Sequence, residues 1–462
     1  MPEKYVIHTD PVPNRFKPIA KSGIIAWEEG CLRCAVCVKQ KCVYDVYSKR
    51  GLDPFHMVDS IDNLCMNCFR CVQGCPKELI HKSVNPEFQA MGDSFFTPEI
   101  ISTLWYQAET GKIPVSGAGY PGPFSGPGFD SMWTDMSEIV RPTRDGIHGR
   151  EYINTSVDLG RTPGHLSFDD ADRLVKGLPM LVDIPLPIIL KMPPYGAMTE
   201  KIILGWAMAA RKLGTLLAIP QKHINAIPDA LNPWLIPMLE SDSLDPEMIP
   251  EGVRIVEMAW TDGCEERVAK IKASSPSLLV CVRVPMTAGM EEKAVSLVNA
   301  GVEIIHLEEG NDFQYDPQRV KEGIRSVHLK LVDANIRDEI TLLASGGFAM
   351  AEHVAKGVLC GADAVFAEMQ LLIALECRMC GRCTKGLPCP VDIGDASEKW
   401  VAARVVNLFG AWHNQLLEVM GAMGIREARR IRGEVGRAMF YEDLDESTFG
   451  SLGSLEEGYE LE

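Results

Sequence analysis

An α/β chain is predicted, with eight parallel strands closed into a TIM-type (β/α)8 barrel and cysteine-rich modules on either side. Two observations carry this. Short apolar runs alternate with amphipathic stretches between residues 180 and 370. Twelve of the fifteen cysteines fall in three tight runs that frame that region.

The strand candidates are "PIILKM" (187–192), "GTLLAIP" (214–220), "RIVEMAW" (254–260), "LLVCVRV" (278–284), "EIIHLEE" (303–309), "ITLLASG" (340–346) and "AVFAEM" (364–369), with a weaker one near 235–239. Stretches such as "EKIILGWAMAARKL" and "MAEHVAKGVLCGA" lie between them with helical periodicity. Strands that alternate with helices form parallel sheets with helical crossovers. Eight such units close a barrel, whose functional face lies at the C-terminal ends of its strands. An open doubly wound sheet is the alternative. The glycine pair in "ASGG" (344–347) follows a strand and precedes a helix. It suits either a phosphate held by backbone amides or an ordinary tight turn.

The cysteine runs are "CLRCAVCVKQKC" (31–42), "CMNCFRCVQGCP" (65–76) and "CRMCGRCTKGLPC" (377–389). Four close thiolates suit zinc or an iron–sulfur cluster. Structural zinc usually takes two C-x2-C pairs a dozen or more residues apart. Three cysteines within one short loop, with the fourth set apart before Pro76, match the bacterial ferredoxin pattern, in which that fourth cysteine serves the other cluster. Crossing the partners gives Cys31, Cys34, Cys37 and Cys75 to one [4Fe–4S] cluster, and Cys65, Cys68, Cys71 and Cys42 to another. The third run has no second run to exchange with, so Cys377, Cys380, Cys383 and Cys389 would share a third [4Fe–4S] cluster. Cys264, Cys281 and Cys360 stand alone and read as small buried apolar residues.

Domain boundaries come from these patterns. Residues 1–105 form a ferredoxin-like domain and 180–376 the barrel. The Gly/Pro-rich connector 106–179 carries Tyr120, Phe124, Phe129 and Trp133. Linkers are poor in aromatics, so this one is expected to be ordered and to pack on the barrel domain after it. Residues 377–462 hold the third run, two helices over about 395–440 ("ASEKWVAARVVNLFGAWHNQLLEVMGAMG" and "REARRIRGEV") and an acidic tail, either loose or a partner-binding strap.

A net charge of −17 and a pI near 5.1 argue against nucleic acid as a partner. No apolar run reaches the length of a membrane span, and "MPEKYVIHTD" is not a secretory signal. A cytoplasmic setting is expected, where thiols stay reduced and serve as metal ligands.

From Lys191 to about Val435 the sequence resembles the FMN-binding barrel domain of glutamate synthase. The likeness rests on "PPYGAMTEK", on "DANIRDEITLLASGGFAMAEHVAKGVLCGADAVFAEMQLLIALEC" and on "CPVDI". The paired ferredoxin runs and "FSGPGFDSMWTDMSEIVRPTRDGIHGREYI" resemble the archaeal-type, ferredoxin-fused branch. The resemblance implies an iron–sulfur oxidoreductase that passes electrons between its clusters and FMN to reduce an imine derived from 2-oxoglutarate. FMN would lie across the barrel mouth, its phosphate near Ser345, Gly346 and Gly347 and near Ala367 and Glu368. Arg283 stands where the family has a lysine, and is either a cation beside the flavin or a salt-bridged arginine. Gln221 stands near another flavin-facing position.

The sequence also departs from the family. A glycine-rich, substrate-contacting segment reads "HLEEGNDFQYD" here, with Glu308, Glu309 and Asp312. Carboxylates there repel a dicarboxylate substrate. The family's three-cysteine [3Fe–4S] site gains a fourth ligand in Cys380. Residue 2 is Pro2, not the cysteine of a glutaminase. Glutaminase and glycine-repeat functions would come from separate subunits. The alternative is an electron-transfer subunit joined to other redox subunits or to ferredoxin, without glutamate synthesis.

Overall fold

The computed structural model describes residues 5–26, 30–32, 34–47, 64–113, 126–134, 153–162, 166–175, 179–196, 198–239, 249–310 and 316–456. The chain divides into two compact units. The smaller comprises Pro13–Thr103 and Glu376–Gly381, the larger the rest.

In the smaller unit, β1 (Ser22–Ala26) pairs antiparallel with β2 (Ile80–Val84), Ser22 opposite Val84 and Ala26 opposite Ile80. Two single-turn helices, α1 (Arg70–Gln73) and α2 (Pro86–Gln89), flank β2. Beside the cysteine runs the buried cluster is small: Val46, Tyr47, Cys71 and Ile80, with other cysteines packed against it; Phe88, Met91, Phe96, Ile100 and Ile101 are buried farther along the unit. Helix α3 (Pro98–Thr110) comes next, its residues from Leu104 onward belonging to the larger unit.

The larger unit begins with residues 5–12 rather than with the connector. Tyr5 donates its hydroxyl to the Leu213 carbonyl at 2.7 Å, and Thr9 packs where Gly410 has no Cβ. Within the connector, Gly128–Ser131 form a 3-10 turn that leads into β3 (Met132–Thr134). Phe129 stacks on Phe348 at 4.9 Å, as an ordered connector requires. Tyr120 and Phe124 lie outside the described residues. Strands β4 (Val157–Gly160) and β5 (Leu181–Ile184) form a separate antiparallel pair.

The barrel strands are β6 (Ile188–Lys191), β7 (Leu217–Pro220), β8 (Leu235–Leu239), β9 (Ile255–Ala259), β10 (Leu279–Pro285), β11 (Ile304–Glu308), β12 (Thr341–Ser345) and β13 (Ala364–Ala367). They close in sequence order, β13 pairing back onto β6, with every pairing parallel. The weak strand near 235–239 is present as β8. All these strands are buried almost throughout, because a barrel core lies inside and helices cover the outside.

The covering helices include α4 (Glu200–Leu213), α5 (Cys264–Ser274), α6 (Met290–Asn299), α7 (Pro317–Asp333), α8 (Ala351–Cys360) and the short α9 (Met369–Ala374). In α4 the buried set Ile202, Ile203, Trp206, Ala207, Ala210 and Leu213 recurs at helical spacing, and Gly214 ends the helix at φ 68°. Asp316 caps α7, accepting from the Gln318 and Arg319 amides at 3.1 and 3.2 Å, with Pro317 at the first helical position.

C-terminal to the barrel, α10 (Glu398–Met423) is the first of the two expected helices. The second does not form over residues 426–435. Gly433, at φ 68°, breaks the segment into two 3-10 turns, Ala428–Arg430 and Val435–Arg437, and β14 (Ala438–Phe440) then pairs with β3. The expected loose tail is instead helical over α11 (Tyr441–Glu456). Glu442 and Asp443 lie in its first turn, where carboxylates offset the helix dipole. Glu442 also reaches Lys321 at 2.8 Å. No helix among the described residues is long and apolar enough to cross a membrane.

Candidate functional site

The smaller unit places its eight cysteines around two voids. Cys31, Cys34, Cys37 and Cys75 line one, with Leu32, Val36, Leu79 and Ile80. Cys42, Cys65, Cys68 and Cys71 line the other, with Lys41, Tyr44, Tyr47, Phe69 and Lys82. These are the crossed sets, each drawing its fourth cysteine from the opposite run.

Among the described residues no group of three or more His, Cys, Asp or Glu is placed to hold a single metal ion. Ligands of one zinc ion all lie about 2.1–2.3 Å from a common point, whereas thiolates around a four-iron cubane stand farther apart. On donor chemistry, these residues fit [4Fe–4S] clusters.

The backbone repeats the pattern. The residue after the second cysteine of each run is left-handed: Ala35 at φ 53°, Phe69 at 57° and Gly381 at 63°. So is the residue three past the fourth cysteine: Asp45 at 55°, Glu78 at 54° and Asp392 at 38°. Left-handed residues other than glycine are strained by roughly 1 kcal/mol or more, so their recurrence at matching positions marks one shared turn. The amides of Glu78 and Asp392 bond back to the Cys75 and Cys389 carbonyls at 3.1 and 3.4 Å. Cys380 thus occupies in its run the place that Cys34 and Cys68 occupy in theirs. Cys377 and Cys380 fall in the smaller unit, Cys383 and Cys389 in the larger.

At the barrel mouth the C-terminal strand ends present charge. Lys191, the last residue of β6, is buried and its Nζ touches Glu308 of β11 and, at 2.5 Å, Glu368 after β13. Arg283 of β10 reaches Glu308 at 3.4 Å and Glu257 of β9 at 3.6 Å. Glu257 Oε2 lies 2.9 Å from His306 Nδ1, and His306 Nε2 lies 2.8 Å from Ser345 Oγ. The His306 ring also packs on Phe366, centroids 4.2 Å apart.

Burial by itself would lower the Lys191 pKa. The carboxylates of Glu368, Glu308 and Glu257 more than reverse this, so the ammonium titrates above its ordinary value. Burial pushes Glu257 up, but His306, Arg283 and Lys191 hold it down at about 2. Glu308 is likewise held below its ordinary value, burial being outweighed by Lys191, His306 and Arg283.

The residues expected to hold FMN can now be placed. Arg283 is salt-bridged to Glu257 and Glu308. Ser345 is fully buried with its hydroxyl bonded to His306. Gly346 and Gly347 are left-handed at φ 83° and 62°, but a Cβ on them would press on Glu309 and on Val320, both at 3.0 Å, so their smallness serves the chain's own packing. Residues 341–350 are buried throughout, and the Ala349 amide, just before α8, is taken by His353 Nδ1 at 3.1 Å. Ala367 is buried, and the Glu368 amide is bonded to Gln370 Oε1 at 2.9 Å. Gln221 opens a 3-10 turn after β7, half-buried and outside this network. The Ser345 hydroxyl and the Glu368 amide are thus engaged within the chain, and the Glu368 carboxylate stands at the same strand end. Asp312 lies outside the described residues.

Lys191, Glu257 and His306 carry this network, and sequence reasoning did not single them out. The available signal was a charged or imidazole side chain inside an otherwise apolar strand, as in "IVEMA" and "IIHLE".

Residues 316–426 match a conserved region in glutamate synthase. An archaeal glutamate synthase (NADPH) of Archaeoglobus fulgidus is 25% identical, the match covering 92% of this chain and 96% of that one. Over most of its length the chain is similar to the archaeal-type glutamate synthases. Those of Dehalococcoides mccartyi and Methanocaldococcus jannaschii are each 23% identical, over 88% and 95% of this chain and 92% and 95% of theirs. Among solved structures, a mandelate oxidase is similar at a TM-score of 0.41 and 14% identity, over 65% of this chain and 97% of that one. At that level the likeness extends no further than the arrangement of strands and helices.

Proposed function

We propose that this chain is an iron–sulfur oxidoreductase of the glutamate synthase type. Its N-terminal clusters would carry single electrons toward a barrel where an imine derived from 2-oxoglutarate is reduced. The observation that carries this reading is the pair of four-cysteine voids, each lined by the crossed set that two ferredoxin-type clusters need. A third [4Fe–4S] cluster on Cys377, Cys380, Cys383 and Cys389 rests on their spacing and on the left-handed turns shared with the other runs. FMN is the cofactor that the family likeness implies; bound flavin exchanges electron pairs on one side and single electrons on the other. The relatives' names carry NADPH, a two-electron donor. Ferredoxin or other redox subunits would be the electron partners, with glutaminase and glycine-repeat functions supplied separately, in the cytoplasm.

A second reading, an electron-transfer subunit that makes no glutamate, is favoured by the mouth network. Lys191, Glu308 and Glu368 place paired charges at the strand ends where a cofactor and a dicarboxylate would have to lie.

One preparation tests both. Protein purified without oxygen is expected to contain about twelve iron atoms per chain, four for each cluster. Flavin present, together with glutamate formed from 2-oxoglutarate and a nitrogen source, supports the first reading. Full iron with neither flavin nor glutamate supports the second. Zinc in place of iron overturns both.

A further inference from the structure

We infer that the two cluster sites of the smaller unit differ in reduction potential, and that Lys82 makes the Cys42/Cys65/Cys68/Cys71 site the better electron acceptor. This rests on the reading of both voids as [4Fe–4S] sites.

Lys82 lies on β2, opposite Ile24 of β1. Its Nζ touches Cys65 Sγ and lies 3.0 Å from Asn67 Oδ1. The same Asn67 oxygen accepts the Ser22 hydroxyl, so β1 fixes the group that orients the ammonium. The Phe69 ring flanks Nζ at 5.6 Å. The side chain is therefore held against a ligand sulfur from three directions, and it is half-buried, where charge is screened less than in open solvent.

Both voids have largely apolar linings, with Tyr44, Val46, Tyr47, Met66 and Phe69 at the Lys82 site and Leu32, Val36, Leu79 and Ile80 at the other. They differ in a sulfur contact: at the other void the donor is neutral, the Leu79 amide reaching Cys75 Sγ at 3.4 Å. Lys77 also lines it, but is exposed and makes no sulfur contact among the described residues.

Reduction of a cluster adds one electron and one unit of negative charge, with no bond made or broken. An ammonium against a ligand thiolate stabilises the reduced form more than the oxidised one, and charge and hydrogen bonds at the sulfurs are what set cluster potentials. A single electron that reaches this unit thus settles at the Lys82 site.

The experiment is a redox titration of the full-length, iron-loaded protein monitored by EPR, with iron counted in each sample. Lys82→Met is expected to weaken reduction of one cluster at least tenfold, a fall of 59 mV for one electron, with iron content unchanged. Lys82→Arg keeps the wild-type midpoint. Lys77→Met, at the other void, shifts its own cluster less than Lys82→Met shifts the first. Should Lys82→Met lose iron, Lys82→Gln gives the same comparison with a polar side chain. Unmoved midpoints in an iron-replete Lys82→Met or Lys82→Gln protein overturn the proposal, as does a Lys77→Met shift of equal size. Absence of iron from the wild-type protein overturns the cluster reading itself, and so marks a different failure.

Discussion

Lys191 sits between two carboxylates at the end of a barrel strand, and its removal tests how much the mouth depends on paired charge. Lys191→Met removes the Lys191 partner of Glu368 and leaves Glu308 with Arg283 alone, in a buried site. Breaking a buried ion pair in this way destabilises by about 3–5 kcal/mol, read as a drop in denaturation midpoint. Adding Glu308→Leu and Glu368→Leu to the same variant should recover most of the loss, because buried charges replaced together by apolar residues are often neutral. Glu257 gives a pH prediction. Its pKa is depressed to about 2 in the folded chain. Its stabilising contribution is therefore complete above the ordinary carboxylate pKa and is lost as pH falls from there toward 2. Thermal midpoints measured across that window should fall more steeply for the wild type than for Glu257→Gln.

Between elements, a close approach is required where α4 meets α10. A Cβ on Gly205 would stand 2.6 Å from Val401 Cβ and 2.9 Å from the Glu398 carbonyl oxygen. Gly205→Ala should therefore destabilise by about 1–3 kcal/mol through overpacking, against its better helix propensity. Val401→Ala in the same chain should return part of that in a denaturant titration, and an additive pair would sink the packing account. At the start of α7, Asp316→Ala removes the acceptor for two amides and should lower stability by about 1 kcal/mol.

Across the whole molecule the two units differ in what stabilises them. The larger holds an eight-stranded barrel with extensive apolar burial. In the smaller, the buried cluster beside the cysteine runs has few apolar residues, and cysteines make up much of the rest. Small modules of this kind draw folding energy from bound metal. Stripping iron with a chelator should raise hydrogen exchange at Ile80–Val84 while leaving the β9–β12 amides protected. Equal loss of protection in both places would rule out a metal-dependent smaller unit.

The sequence by itself determined what is local. Alternating apolar runs and helical stretches gave the barrel, including the weak strand at 235–239, because each signal lies within one element. The spacing of the cysteines gave the crossed sets for the same reason. Glycine position was legible only in part: the pair at Gly346 and Gly347 marked a turn, but whether that turn faces a ligand or Glu309 and Val320 depends on neighbours from other elements. Only the tertiary structure decided the barrel mouth. Lys191, Glu257, Arg283, His306, Glu308 and Ser345 come from five strands spread over more than 150 residues, and meet because closing a parallel barrel brings its strand ends to one place. Lys82 is the same case in miniature: a half-buried side chain on a short strand meets a sulfur seventeen positions away in the chain.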